Sequence, residues 1–132
     1  MQDLEKYRDF FQSDLYATET TGCVIEEVDE NYSKCSLNLQ AKHINGAGTV
    51  MGGAIFTLAD FAFAVASNKC KAQTVTANSN ISFIGKAKGS TLIATTKLIK
   101  DGIKSCLYEI DVSDNLGNKI ALVTSFGIKT RE

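Results

Sequence analysis

The chain has 132 residues, with 14 Lys and Arg against 15 Asp and Glu. This length suits one domain with a hydrophobic core of its own, so we expect a single domain over residues 1–132. The balanced charge predicts no surface for a polyanion, which argues against nucleic acid as a partner and against binding to an anionic membrane.

The cysteines and the N-terminus bear on metal binding and location. Four cysteines stand far apart, without a CxxC motif or a Cys/His cluster, and therefore predict no metal site; they are Cys23, Cys35, Cys70 and Cys106. The first residues, MQDLEKYRDFF, carry charges where a signal peptide would be apolar, which favours a cytoplasmic location. The apolar stretch 52–67 is shorter than the roughly 18 to 20 residues of a membrane span and contains Asp60, so we expect a buried helix.

The first half of the chain predicts two helices separated by strands. Apolar residues at helical spacing, from Leu4 to Leu15, indicate an amphipathic N-terminal helix over about residues 2–17. Two strand-like runs at 23–28 and 33–40 read as a hairpin. After a loop rich in glycine, a central helix over about 52–68 is predicted, and because it is apolar on every side, other elements must surround it.

The second half changes to the period of a β-strand. Strands are predicted at 75–83, 92–100, 106–112 and 120–128, with Val75, Ala77, Ser79, Ile81 and Phe83 alternating with polar residues. Asp101-Gly102 is a strong hairpin-turn signal. The order predicts an α+β fold in which a curled antiparallel sheet wraps one long helix, and a free sheet face or edge would favour a homo-oligomer.

Asp60 is a carboxylate in the middle of the apolar helix and needs a partner or a cleft. One reading is structural, in which the acid caps a loop or pairs with a buried lysine. The other is catalytic, since Gly52 and Gly53 at the helix start leave backbone N–H groups open to a ligand, and the helix dipole there favours a negative oxygen.

A longer pattern carries a resemblance to a known family. It reads His43-x-Asn45-x-x-Gly48-x-x-Met51-Gly52-Gly53, then Leu58-Ala59-Asp60 and Val75-Thr76, and it continues through residues 80–83, 100–102 and 114–118. This pattern resembles the PaaI-like (phenylacetyl-CoA type) acyl-CoA thioesterases of the hotdog-fold superfamily. The resemblance implies a hotdog fold, a homodimer or homotetramer with active sites at the dimer interface, an acyl-CoA substrate, and no metal or cofactor apart from the CoA of the substrate.

The resemblance also implies site residues. Asp60 would act as general base or as nucleophile, and the Gly52 N–H would polarise the thioester carbonyl. Asn45 would assist at the substrate and water, and Thr76 would orient the water beside Asp60. The substrate-binding residues would be Met51, Gly53, Phe83, Lys100, Asp101, Gly102, Ile103, Lys104 and Ser105, although the lysines are equally explained as solvated residues at hairpin ends.

Met51 departs from the family pattern, because many relatives have histidine at this position. A methionine side chain neither donates a hydrogen bond nor shares a proton, which keeps open a non-catalytic acyl-CoA binding or sensing protein as the alternative function. The combination of Asp60, Thr76 and Asn45 argues for catalysis. A dehydratase of the same fold would need a paired Asp and His in the central motif, and the sequence does not show that pair. The single histidine, His43, is expected to support its loop.

Overall fold

The computed structural model describes residues 3–71 and 73–130. Within these ranges, two α-helices and six strands follow one another. The helices are α1 (Leu4–Phe11) and α2 (Gly52–Asn68); the strands are β1 (Val24–Asp29), β2 (Tyr32–Asn38), β3 (Thr74–Phe83), β4 (Thr91–Asp101), β5 (Ser105–Asp114) and β6 (Lys119–Lys129). A π-helical turn at Tyr16–Thr21 precedes β1, and a short 3-10 turn at Ala41–His43 follows β2.

The six strands form one sheet in the order β1-β2-β4-β5-β6-β3. Every neighbouring pair is antiparallel. Strands β4, β5 and β6 form the predicted meander, and β3 reaches the far side of β6 after α2 has crossed the sheet. Strand β3 is therefore an edge strand, ten residues long and exposed over most of its length.

The sheet wraps around α2, which contacts all six strands. Leu58, Ala59, Ala62 and Val65 on the helix are fully buried. Alternate residues of the strands meet them, as in β5, where every second side chain is buried. The predicted α+β arrangement of one long helix inside a curled antiparallel sheet is confirmed, and α2 has the predicted bounds.

The N-terminal helix is shorter than the predicted span of about 2–17. It begins after Asp3, whose carboxylate accepts the N–H groups of Glu5 and Lys6, and it ends at Phe11. Residues 12–14 are Gln, Ser and Asp, and the last two compete with helical hydrogen bonding. The chain then makes the π-helical turn, which ends at Gly22 with a left-handed φ of 100°. Residue 2 lies outside the described residues.

Strand β3 does not keep the strict alternation that the sequence predicts. Thr76 pairs with Gly127 and Asn78 with Phe126, so Ala77 is an extra residue in a β-bulge. Thr74 and Thr76 face the helix before the bulge, because their hydroxyls donate to Ser67 O and Asp60 Oδ1. After the bulge the other parity faces inward, and its residues are Ser79, Ile81 and Phe83.

Asp114 at the end of β5 ties the preceding loop to the β5–β6 turn. Its carboxylate is 2% exposed and accepts the N–H groups of Lys88, Gly89, Leu116 and Asn118. Burial raises the pKa of this carboxyl, but these bonds and the Asn118 side-chain amide outweigh burial and hold the pKa well below its usual value. Asp114 therefore has a structural role.

Two further expectations concern the state of the cysteines and the presence of a membrane-spanning helix. Cys23, Cys35 and Cys106 are buried and Cys70 is partly buried, and none forms a disulfide. Burial raises the pKa of all four thiols, to about 12 for Cys23, so they are poor nucleophiles. Across residues 3–71 and 73–130, no helix combines the length and apolar character needed to cross a membrane.

Candidate active site

Asp60 lies on the one side of α2 that the sheet leaves partly uncovered. The residues flanking it at helical spacing, Gly53, Phe56, Thr57 and Ala64, are exposed or half-buried like Asp60 itself. The Thr76 hydroxyl donates to Asp60 Oδ1 across 3.4 Å. The bulge at Ala77 is what turns Thr76 toward the helix, so strand irregularity builds this contact.

The surroundings of Asp60 favour its protonated form. Burial is the largest cause and raises the pKa of the carboxyl, the hydrogen bond from Thr76 lowers it, and the negative charge of Asp14 raises it again. The net effect is a raised pKa. A carboxyl whose pKa is raised toward neutrality is a better proton acceptor once ionised, which suits a general base.

A cavity of about 410 Å³ opens beside Asp60. Its walls come from α2 and from the segment 14–17, which leads into the π-helical turn. Phe56 and Phe61 line it from the helix, and Asp14, Leu15 and Tyr16 line it from the other side. Leu15 and Tyr16 are 56% and 68% exposed, so an apolar surface faces the solvent next to the carboxylate.

The start of α2 presents two free backbone donors. Met51 O accepts the N–H groups of Ala54 and Ile55, whereas no described residue accepts those of Gly52 and Gly53. Met51 N donates to His43 O across 2.8 Å, which fixes the turn into the helix. The arrangement is that of an anion or oxyanion site at a helix N-terminus.

Phe83 and Met51 flank this helix start. A side-chain carbon added at Gly52 would lie 3.0 Å from Phe83 Cζ, so the ring of Phe83 covers Gly52 closely. Met51 is 53% exposed and makes no capping hydrogen bond. The predicted group of Gly52, Gly53, Met51 and Phe83 is therefore brought together, at a distance from Asp60.

Asn45 shapes the loop before the helix. Its side-chain oxygen accepts the N–H groups of Ala47 and Thr49 and the Thr49 hydroxyl, at 3.0 to 3.2 Å. The side-chain NH2 has no acceptor among the described residues. Asn45 can therefore hold the loop with one end and donate to a ligand with the other.

His43 supports its loop, as expected. The imidazole is 4% exposed; its Nδ1 accepts the Gln40 N–H at 2.9 Å, and its Nε2 lies 2.7 Å from Thr21 O. Because Nδ1 accepts, Nε2 carries the proton and donates to the carbonyl. Both nitrogens are engaged in the fold, and His43 has no free nitrogen for acid-base work.

Asp60 and Gly52 are on the same helix and do not meet in one subunit. Eight residues separate them, which is about 12 Å along the axis at about 1.5 Å per residue. A thioester carbonyl that touches the Gly52 N–H is too far from the Asp60 of the same chain for attack. Within the chain, only Thr76 among the predicted catalytic residues contacts Asp60.

The predicted segment Lys100–Ser105 covers the end of β4, the β4–β5 turn and the first residue of β5. Lys129 Nζ donates to Asp101 Oδ1 and to Gly102 O, both at 2.6 Å, and Lys129 N donates to Lys104 O. Asp101 is thus occupied in holding the turn. Ile103 at the tip is 94% exposed.

Sequence reasoning missed Asp14 and Tyr16 as cavity residues and Lys129 as the brace of the turn. Asp14 and Tyr16 fall inside the predicted first helix, so their placement depends on the π-helical turn that replaces its end. For Lys129 the only available signal was its place in the last strand. Within the described residues, no group of three or more His, Cys, Asp or Glu side chains is arranged to hold a metal ion.

Comparison with known proteins identifies the family of the chain. Residues 47–121 match the family described as the thioesterase superfamily. The acyl-coenzyme A thioesterase PaaI of Escherichia coli strain K12 is 30% identical over 102 residues, which cover 76% of this chain and 73% of the relative. A relative from Archaeoglobus fulgidus, named an esterase only provisionally, is 31% identical over 92% of this chain and 79% of its own.

Solved structures show the same fold. The E. coli PaaI protein from the phenylacetic acid degradation operon superposes with a TM-score of 0.85 at 23% identity, covering 97% of this chain and 96% of that one. A hypothetical thioesterase from Streptococcus pneumoniae TIGR4, solved with coenzyme A, superposes with a TM-score of 0.83 at 18% identity over 92% and 98% of the two chains. The fold, with its long helix and wrapping sheet, is the predicted hotdog fold.

Proposed function

This chain belongs to the thioesterase superfamily, and we propose that it hydrolyses an acyl-CoA thioester to free CoA and a carboxylic acid. The observation that carries the proposal is Asp60, a half-buried carboxylate with a raised pKa, held by Thr76 at the edge of a 410 Å³ cavity. The curated PaaI relative is named as an acyl-coenzyme A thioesterase, which supports an acyl-CoA as the substrate.

Asp60 acts on water or on the thioester itself. As general base it takes a proton from a water molecule whose oxygen bonds to the thioester carbon; as nucleophile its own oxygen bonds there, and water then cleaves the anhydride. In both routes the carbon–sulfur bond breaks and CoA leaves as the thiolate, which takes up a proton. Single-turnover hydrolysis in oxygen-18 water distinguishes them, because only the nucleophilic route puts label into the Asp60 carboxyl.

The N–H groups of Gly52 and Gly53 receive the carbonyl oxygen as it becomes negative. Their lack of an acceptor among the described residues and their place at a helix start support this role. Asn45 donates its side-chain NH2 to the substrate or the water. Because Gly52 lies about 12 Å from Asp60 of its own chain, the donor and the carboxylate at one thioester come from two subunits.

The assembly that this requires is a homodimer, alone or doubled to a homotetramer. Strand β3 is exposed over most of its length at the edge of the sheet, which leaves its outer backbone groups open to pairing with a second copy. Asp60, on the open side of α2, and Thr76, on this edge strand, both lie next to such an interface. A site shared between two copies explains why the helix leaves one side uncovered.

The turn Lys100–Ser105 is proposed to hold part of the CoA. Lys100 and Lys104 carry positive charge at the turn, and the brace from Lys129 keeps its backbone in place. Phosphate groups bind where lysine side chains and a fixed backbone converge. The bound coenzyme A in the S. pneumoniae structure supports CoA as a ligand of this fold.

Met51 favours one second candidate, a protein that binds acyl-CoA without turning it over. Its exposed thioether stands beside the Gly52 N–H, where many relatives have histidine, and supplies no hydrogen bond to the thioester. Tight binding of acyl-CoA without thiol release would establish this function.

The proposal is tested by thiol release from short, medium, long and aryl acyl-CoAs. We expect release from at least one class, and we expect Asp60→Asn to reduce kcat/KM at least about 100-fold. Asp9→Asn, an exposed change on α1, is the matched control and keeps wild-type turnover. Absence of release from the whole panel, or full activity of Asp60→Asn, would overturn the proposal.

A further inference from the structure

The cavity beside Asp60 has an unusual balance of charge. Two of the side chains that line it, Asp14 and Asp60, are carboxylic acids, and none of the described lining residues is a cation. The rest of the lining is mostly apolar or aromatic, and Leu15, Tyr16 and Phe56 contribute to it. Within one subunit, the cavity therefore offers contacts to an alkyl or aryl group and no cation to neutralise an anion.

Asp14 is held firmly by its backbone. Its N–H donates to Phe11 O at 3.0 Å, and its carbonyl accepts the Thr18 N–H at 2.9 Å and the Thr18 hydroxyl at 3.0 Å. Its carboxylate, in contrast, makes no hydrogen bond or ion pair with any residue in the described ranges. A fixed backbone thus presents a solvent-exposed negative charge without a cationic partner in the described ranges.

The charge of Asp14 reaches the region where the thioester reacts. Burial is the main cause of the raised pKa of Asp60, and the negative charge of Asp14 adds to it, as expected for two carboxyls that line the same cavity. Asp14 also borders a second recess of about 320 Å³, on the side of Phe10 and Val75. Its carboxylate therefore lines both the cavity beside Asp60 and this second recess. The negative charge acts electrostatically on an acyl group that extends into either one.

We propose that Asp14 makes the site select uncharged acyl groups and exclude acyl groups that end in a carboxylate. The inference rests on the proposed thioesterase function and adds the substrate class. A terminal carboxylate entering the cavity would meet like charge without a cation and would lose its hydration, whereas an alkyl chain or an aryl ring would meet Leu15, Tyr16 and Phe56.

The size of the cavity agrees with a small acyl group. Its 410 Å³ lies near the lower end of the range of about 300–1,000 Å³ found for small-molecule sites. A benzoyl or a medium-length alkyl group fits within this volume. We therefore choose two pairs of probes, hexanoyl-CoA with adipoyl-CoA and benzoyl-CoA with 4-carboxybenzoyl-CoA, in which only the second member has a terminal carboxylate.

The experiment compares kcat/KM within each pair for the full chain and its variants, above the acid limb of the pH profile. We expect the wild-type chain to favour the uncharged member at least about 100-fold. Asp14→Asn should raise the kcat/KM of the charged member relative to that of the uncharged member about tenfold, mostly through a lower KM for the charged member. Asp14→Lys should raise this ratio of kcat/KM values further. Glu19→Gln removes a nearby exposed carboxylate that does not line the cavity and leaves the ratio unchanged.

The outcomes separate the two proposals. No thiol release from these four thioesters or from the rest of the acyl-CoA panel would overturn the proposed function and the selectivity with it. Release from the panel but from none of the four would overturn the selectivity alone. Turnover with equal kcat/KM for the two members of each pair would overturn the selectivity alone. So would a wild-type preference that persists unchanged in Asp14→Asn, because the preference would then not come from this charge.

Discussion

At the scale of single residues, Asp60 is a group whose chemistry works against the stability of the fold. Its pKa is raised in the folded chain, chiefly by burial, so the folded state binds this proton more tightly than the unfolded state does. Stability from this group is therefore present at pH below the unfolded value of about 4 and is lost as pH rises through the folded pKa. The carboxylate at neutral pH destabilises the fold.

Asp60→Asn is therefore expected to increase the free energy of unfolding at pH 7 by about 1 kcal/mol while it removes activity. At pH 3 the two proteins should have similar stability, because the wild-type carboxyl is then protonated in both states. Urea unfolding at the two pH values measures this difference. A loss of stability at pH 7 would contradict the assignment of Asp60 as a costly, functional charge.

Thr76 tunes the same carboxyl in the opposite direction. Its hydrogen bond lowers the pKa of Asp60, so Thr76→Val, which keeps the shape and loses the hydroxyl, should raise that pKa. The proposed mechanism requires ionised Asp60, so the acid limb of kcat/KM against pH should move to higher pH. Thr124→Val, an exposed change on β6, is the control. If the acid limb of Thr76→Val stays at the wild-type pH, the Thr76 hydroxyl does not set the pKa of Asp60.

At the scale of elements, the bulge in β3 decides which side chains reach the helix. Because one extra residue changes the parity of a strand, Thr76 can meet Asp60 while Phe83 covers Gly52. A regular strand would turn one of the two away. The most irregular point of the edge strand thus lies directly beside the candidate catalytic residue.

Deletion of Ala77 should therefore cost both activity and stability. The loss of the bulge forces either Thr76 or the group of Ser79, Ile81 and Phe83 outward, and we expect kcat/KM to fall at least about 100-fold and the unfolding free energy to fall by about 2 kcal/mol. Ala77→Ser keeps the length of the strand and should stay close to wild type in both. Wild-type activity of the deletion variant would show that the bulge has no part in the site.

Much of the element pattern was predictable from the sequence, because it depends on local rules. The apolar content of α2, the alternation in β5 and the Asp101-Gly102 turn each require only neighbouring residues. The end of α1 and the bulge in β3 were not predicted. Helical spacing continues to Leu15, yet α1 ends at Phe11 and residues 12–14 leave the helix. Nothing in the residue types around Ala77 marks an extra residue.

At the scale of the whole molecule, the separation of Gly52 from Asp60 along α2 leads to a test of the shared site. Asp60→Asn lacks the carboxylate, and Gly52→Pro lacks the backbone donor but suits the first position of a helix. Each variant alone should be inactive. Mixed after unfolding and refolding together, they form a heterodimer with one intact site, and about a quarter of wild-type activity should return.

Gly52→Ala is the control for this experiment, because it adds the same carbon near Phe83 and keeps the N–H. Gly52→Ala should remain active. The loss of activity in Gly52→Pro would then be due to the missing N–H donor. If the mixture of the two inactive variants stays inactive although a mixed dimer forms, the carboxylate and the donor do not act at one thioester across two subunits.

The sequence by itself determined the architecture and the identity of the central acid. Both follow from local patterns: an apolar helix with a single carboxylate, a glycine pair at its start, and strands of regular period around it. Only the tertiary structure decided what surrounds that acid. The contact with Thr76 depends on a bulge, and the neighbouring charge of Asp14 depends on where the chain leaves α1, and both are set by packing between segments far apart in the sequence.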